Sequence, residues 1–174
     1  MSIPTFETER LTLRGLQAKD FDAFAAMWAD PDVTRHLGDG ATRALEESWT
    51  SFLRVAGHWQ IMGFGNWAIE ERAGGKFLGT AGFNERKRDR GEALAGIPEL
   101  GWMFCAGASG KGFATEAMRA ALVWGREHFG AVRIIAIVAP ENFASMRVAE
   151  KCGFAEFHRG PSAGRGRVFF DRIL

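Results

Sequence analysis

The sequence predicts a mixed α/β fold, one domain arranged around a central parallel βαβ unit. Three observations carry that expectation. A mostly apolar run, Glu99 to Cys105, passes through a glycine-bearing loop into an amphipathic helical pattern and on to the β-branched run Val132 to Val138; strands joined by such a crossover run parallel. Two extended runs, Gly63 to Arg72 and Lys76 to Asn84, meet at Ala73-Gly74-Gly75, a short connection with the glycines of an antiparallel hairpin. At 174 residues, 47% apolar and 25% charged, the chain suits a single domain, 1–174, with a sizeable core.

The remaining elements follow in chain order. Glu9 to Arg14 alternates polar and apolar residues as a half-buried strand, ended by Gly15. Asp20 is an N-cap for a helix carrying Phe21, Phe24, Ala25 and Trp28 on one face, and Asp30-Pro31 stops it. A second helix starts at Thr42, lines up Leu45, Trp49, Phe52, Leu53 and Ala56, and closes at Gly57. Glu85 to Pro98 has no period and reads as a surface loop; its cluster Arg86, Lys87, Arg88, Arg90 is interrupted by Asp89 and flanked by Glu85 and Glu92. In the central helix, Phe113 to Phe129, the polar residues Thr115, Glu116, Arg119, Arg126 and Glu127 share one sector. Pro140 ends the β-branched strand, Asn142 to Lys151 forms a short helix with Gly153 behind it, and Phe154 to Arg159 and Arg167 to Arg172 close the sheet around a PSAGRG turn. The expected result is a mixed, mostly antiparallel sheet of six to seven strands with about four helices, without internal repeats.

Charge and cysteine usage exclude several function classes. Net charge is +1, from 22 basic and 21 acidic residues, so no global field favours nucleic acid or an anionic membrane. Cys105 and Cys152 form no CxxC pair and His36, His58, His128 and His158 show no ligand spacing, so neither a structural metal nor a disulfide framework is expected. The N-terminal stretch is charged within its first ten residues and lacks a signal-peptide core, which leads to an expected cytoplasmic location. The longest uncharged run, Val55 to Ile69, has 15 residues and is too short and polar to span a bilayer.

The chemistry concentrates at the start of the central helix. Four N–H groups at a helix start lack internal partners, and the helix dipole adds partial positive charge there. Gly110 and Gly112 let the backbone turn sharply and approach an anion, and Lys111 adds charge. A Walker A loop is excluded, because Gly112 follows Lys111 where Ser or Thr is required and Cys105 holds the first glycine position. A dinucleotide fingerprint is excluded because Thr115 stands at its third glycine. An anion cradle and a plain strand-to-helix turn both remain open at this level.

The run SGKGFATEA, with ENFASMRVAEKCGF about 25 residues later, resembles the GNAT superfamily of acyl-CoA-dependent N-acetyltransferases. ETERLTLR and WAIEERAGGKFLGTAGF are similar to the branch containing ribosomal-protein N-terminal alanine acetyltransferases, so the resemblance covers nearly the whole chain. It implies a GNAT fold whose loop, Ser109, Gly110, Lys111, Gly112, Phe113, Ala114 and Thr115, binds the pyrophosphate of acetyl-CoA through backbone amides. Gly112 and Ala114 fit the family pattern, and Ser109 stands where Arg or Gln is usual. The resemblance also implies that Met103 and Phe104 pair with the pantetheine arm like an added strand. Asn142 would contact that arm, Ser145 would lie near the sulfur, and Arg147 with Lys151 would meet phosphates.

Direct transfer needs a neutral amine, a polarised carbonyl and a proton for the thiolate. Glu99 is the expected base, directly or through water, against the alternative of a surface carboxylate or a salt-bridge partner; Glu85 and Glu70 are fallbacks. Many relatives use a tyrosine as acid and this chain has no tyrosine, which leaves Ser145 as the hydroxyl at the matching helix, or a thiolate stabilised by the helix start and protonated by water. Cys105, in an apolar run, reads as a packing residue. The acceptor would be a primary amine: a protein N-terminus, a free amino acid, a polyamine or an aminoglycoside. Its surface is expected from the first two helices and the Glu85 to Pro98 loop, with Trp49, Phe52, Trp59 and Phe64 as either a wall or core. Exposed strand edges allow a homodimer. The rivals are a non-catalytic acyl-CoA-binding module and a nucleotide-phosphate binder of another class.

Overall fold

The computed structural model describes residues 2–87, 94–162 and 164–174. Arg88, Asp89, Arg90 and Glu92 of the charged cluster, and Ala163 of the PSAGRG turn, lie outside the described residues. The N-terminal alternation forms β1 (Phe6–Glu7) and β2 (Leu11–Arg14), with Leu11 and Leu13 buried. The short strand β1 lacked a readable period. It is held by a tight turn in which Thr8 N–H donates to Leu11 C=O at 2.8 Å, and by the edge-to-face contact of Phe6 with Trp67. Among the described residues it brings the sheet to eight strands, one more than the upper expected number.

Helix α1 (Phe21–Ala29) ends at Asp30 as expected, but Asp30-Pro31 also opens a one-turn helix, α2 (Pro31–Thr34). The Asp30 carboxylate accepts from Asp32 N–H while Pro31 occupies the first turn, so one dipeptide both stops and starts a helix. Helix α3 spans Leu45–Met62, later at both ends than expected. The Glu47 carboxylate accepts the Ala44 N–H at 2.8 Å and sets its start. Gly57 lies inside it with open space around the glycine, and Gly63, not Gly57, closes it. Consequently β3 begins later, at Asn66–Glu71, and pairs with β4 (Lys76–Asn84) in the expected hairpin.

The remaining elements are β5 (Glu99–Phe104), α4 (Phe113–Phe129), β6 (Arg133–Val138), α5 (Phe143–Lys151), β7 (Ala155–Ser162) and β8 (Arg165–Ile173). The closing hairpin is longer than expected because its strands continue through most of the PSAGRG segment, Ser162 pairing with Arg165. The strand order is β1-β2-β3-β4-β5-β6-β8-β7. Strand alternation divides the core between two faces. Trp67, Ile69, Phe83 and Leu100 meet α4 through Ala117, Met118 and Ala121, whereas Ala68, Phe77 and Met103 meet Phe24 and Met27 of α1 and Phe52 of α3.

One junction in this sheet is weak. All neighbouring pairs are antiparallel except β5 and β6, which run parallel as the βαβ reading requires, in register only at Glu99 opposite Ile135. An Ile135 N–H to Pro98 C=O bond of 3.1 Å supports the same point. Beyond it the two strands diverge, and the sheet opens into a seam.

Candidate active site

Two cavities meet at that seam. The larger, about 840 Å³, lies toward the start of α4 and the first turns of α5; the smaller, about 270 Å³, lies toward α1 and α3. His36, Leu37, Trp102, Met103, Asn142 and Ser145 line both, so the two spaces connect through the gap between β5 and β6.

The larger cavity ends on the β5-to-α4 loop. After β5 the chain makes a 3-10 turn, Ala106–Ala108, then reverses through Gly110 and Gly112 with φ of 76° and 81°, a region that L side chains avoid. Gly112 is the N-cap of α4 and supplies no side-chain cap; the first intrahelical bond runs from Glu116 N–H to Gly112 C=O, leaving the N–H groups of Phe113, Ala114 and Thr115 ahead of it. A helix start of this kind is an anion cradle. The loop is clamped from the other end of the chain. Arg10 donates to Lys111 C=O at 2.9 Å and to the Glu116 carboxylate at 2.7 Å, and stacks over Phe113 at 4.7 Å. Burial works to raise the Glu116 pKa, but hydrogen bonds from the Thr8 hydroxyl and from Arg10 outweigh it and hold the group below its ordinary value.

Of the residues nominated from sequence, Met103, Phe104, Ser109, Gly110, Gly112, Phe113, Ala114, Thr115, Asn142, Ser145, Arg147 and Lys151 line the larger cavity. Lys111 does not line it and contributes its carbonyl to the Arg10 clamp. The Asn142 side-chain oxygen caps α5 by accepting Ser145 N–H at 3.0 Å. Trp102, which sequence reasoning passed over, donates its indole N–H to the Ser145 hydroxyl at 3.3 Å. Its signal lay in the strand alternation, which sets Trp102 on the face opposite Met103.

Glu99 stands at the junction of β5 and β6, 7% exposed, with the Arg86 guanidinium 3.7 Å away. It is the one carboxylate among the described residues lining the smaller cavity. The fallback bases lie elsewhere. Glu70 is bound at 2.6 Å to Arg14, which also holds Asp20, and Glu85 pairs with Lys87; neither lines either cavity. Burial raises the thiol pKa of both Cys105 and Cys152, so neither is an activated nucleophile. His36, also missed, is held below its ordinary pKa by burial and by Arg35, which leaves the ring at the junction neutral near pH 7.

The smaller cavity draws on both helices expected to build the acceptor surface and on Arg86 of the expected loop, whereas Trp49, Phe52, Trp59 and Phe64, read as either wall or core, do not wall it. Trp59 and Phe64 belong to one core cluster and Phe52 to the other, while Trp49 stacks on Phe52 at 5.9 Å; none of the four lines a cavity. The smaller cavity is walled instead by Phe24 and Trp28 of α1, by Ser51, Arg54 and Val55 of α3, and by Arg43, Arg86 and Arg167. No group of three or more His, Cys, Asp or Glu among the described residues could hold a metal ion, and no helix among them is long and apolar enough to cross a membrane.

Comparison with known proteins identifies the family and the fold. A family model described as an acetyltransferase (GNAT) domain matches residues 10–155. An uncharacterized N-acetyltransferase of Bacillus subtilis strain 168, YoaA, is 31% identical over 154 residues, covering 87% of this chain and 82% of its own. The crystal structure of an acetyltransferase from Agrobacterium tumefaciens superposes with a TM-score of 0.83 at 31% identity, over 99% of this chain and 95% of that one. RimL, a ribosomal L7/L12 α-N-protein acetyltransferase solved in complex with coenzyme A, shares the fold at a TM-score of 0.79 and 15% identity, over 98% of each chain.

Proposed function

Since the chain belongs to the GNAT acetyltransferase family, we propose that it transfers an acetyl group from acetyl-CoA to a primary amine by direct attack within the seam between β5 and β6. The coenzyme A in the RimL complex supports the choice of donor. One observation carries the reading: a cradle of free helix-start amides lies at one end of a cavity that passes Ser145 and reaches the buried carboxylate of Glu99 through the seam. The loop Ser109 to Thr115 holds the pyrophosphate, the unpaired edge of β5 at Met103 and Phe104 receives the pantetheine arm, and Asn142 and Arg147 flank it.

Glu99 accepts the proton that the amine must lose, directly or through water. At pH 7 that deprotonation costs about 1.4 kcal/mol for an α-amino group and about 4.6 kcal/mol for a lysine, so an α-amine demands far less of the carboxylate. The amine nitrogen then bonds to the thioester carbon as the carbon–sulfur bond breaks. Ser145 accepts the Trp102 N–H, which polarises its hydroxyl, and that hydroxyl donates to the departing sulfur. A serine is too weak an acid to protonate a thiolate fully, so solvent completes the step.

An acceptor screen with acetyl-CoA, read by mass spectrometry, tests the transfer. Acetylated amine and stoichiometric thiol release are expected. Coenzyme A binding without turnover on any amine would leave a binding module, and tighter calorimetric binding of ATP or NAD than of coenzyme A would point to the nucleotide class.

A further inference from the structure

The acceptor-side cavity is a cationic chamber. Arg43 precedes α3, Arg54 lies within it, Arg86 follows β4 and Arg167 sits on β8, yet all four line a space of about 270 Å³ in which Glu99 is the one described carboxylate. Their partners are mostly neutral. Arg43 donates to the Ser51 hydroxyl and lies over the Trp28 ring at 3.5 Å, and Arg167 donates to the Gly38 carbonyl at 2.7 Å. Among the described residues Arg54 makes no hydrogen bond or ion pair and the buried Nε of Arg86 has no hydrogen-bond partner, although that side chain lies 3.7 Å from Glu99.

This crowding is unfavourable in the protein alone. Arg54 is exposed to solvent on its outer side, yet partial burial, then repulsion from Arg86 and Arg43, lowers its pKa. Burial likewise comes first for Arg43, where Glu47 and Asp39 oppose it and Arg86 adds to it, and for Arg167, where Arg165 adds to it and Glu141 opposes it, and both pKa values end lowered. Like charges gathered on a concave wall focus a positive potential, and guanidinium forks suit carboxylate and phosphate oxygens. Such a chamber repels a polyamine or an aminoglycoside. At about 270 Å³ it falls just below the usual span of ligand sites, about 300–1,000 Å³, which suits a small acceptor.

We propose that the acceptor is a small amine carrying its own anionic group, a carboxylate or phosphate, held by Arg54 and Arg86 while its nitrogen faces Glu99. The proposal rests on the transfer reading for the amine and on the arginine cluster alone for the anion.

Two measurements separate these parts. In the first, the full-length protein with acetyl-CoA receives matched pairs: serine against serinamide, β-alanine against β-alaninamide, and O-phosphoethanolamine against ethanolamine. Spermidine and an acidic tripeptide complete the panel. The charged member of at least one pair should lead in kcat/KM by about tenfold or more, the scale of one hydrogen bond between charged groups, and the phosphate arm separates the two anion types. In Arg54→Gln and Arg86→Gln that ratio should fall to about threefold or less. A lead for the amides, spermidine or the tripeptide overturns the proposal and leaves the transfer reading intact. The second measurement is calorimetry of the same pairs with coenzyme A present. Anion-selective binding that weakens in Arg54→Gln, without turnover on any amine, sustains the anionic ligand and removes the transfer step; equal binding of acid and amide removes the ligand assignment.

Discussion

Trp102 and Ser145 approach to 3.3 Å across the seam, the indole N–H of a β5 residue donating to the hydroxyl of an α5 residue. That contact fixes the hydroxyl where the two cavities join, and it orients the oxygen so that its own proton points away from the indole. In the proposed transfer, this arrangement would stand in for a stronger acid in a chain without tyrosine.

Removing the hydroxyl tests this directly. Ser145→Ala should lower kcat about tenfold and change coenzyme A affinity about twofold or less, because the group assists the leaving sulfur more than it binds the donor. Turnover equal to the parent enzyme takes Ser145 out of the mechanism.

Glu99→Gln keeps the shape of the side chain and removes its capacity to accept a proton. Below the amine pKa, each unit of pH leaves about tenfold less free amine, so the parent-to-variant ratio of kcat/KM should grow as pH falls. A ratio that stays constant from pH 6 to about pH 9 would mean the carboxylate serves as a partner to Arg86 and not as the base.

The Arg10 clamp gives a prediction about binding. Arg10→Gln frees Lys111 C=O and half of the Glu116 contacts, so KM for acetyl-CoA should rise about three- to tenfold while kcat changes less. The Arg10 side chain is 43% exposed, and its stability contribution should therefore stay below about 1 kcal/mol. A large loss of Tm with unchanged KM would recast the clamp as purely structural.

Beneath α1, Asp20 and Glu70 share Arg14, with Asp20 accepting two guanidinium bonds of 2.7 and 2.8 Å. Burial acts to raise the Asp20 pKa; hydrogen bonds from Arg14 and from Gln17 N–H overcome it and leave the pKa lowered. A lowered carboxylate pKa adds stability above the unfolded-state value, and that stability is lost as pH falls through the folded-state value. Asp20→Asn should cost about 2–4 kcal/mol at pH 7, and urea midpoints of parent and variant should converge as pH falls below the ordinary carboxylate value and through the lowered folded-state one. A gap that is constant with pH contradicts the ionised-pair account.

Much of the frame was readable where one physical signal dominated. The polar sector from Thr115 to Glu127 placed α4 at Phe113–Phe129, and the β-branched run placed β6 within one residue of its start. Where two residues could serve one purpose, reading failed: Gly57 and Gly63 both look like helix stops, and only the packing of Phe52, Val55 and Trp59 carries α3 through the first. The glycine-bearing start of α4 was legible because it is contiguous. The Arg10 contact to Glu116 spans 106 positions, and the four cavity arginines come from separate segments, so no local pattern announces them. Trp102 was hidden differently, in a run where an aromatic residue already had sufficient reason to be core.

The solitary register pair of Glu99 and Ile135 also bears on how the molecule comes apart. A ribbon of five strands and a ribbon of three meet at that one pair, so the fold divides there into two candidate units of local opening. A donor laid along the free edge of β5 would stitch the ribbons together, and backbone amides on both margins would exchange with solvent more slowly in its presence. Filling the site and closing the sheet would then be one event, and saturation would sharpen the unfolding transition as well as raise its midpoint.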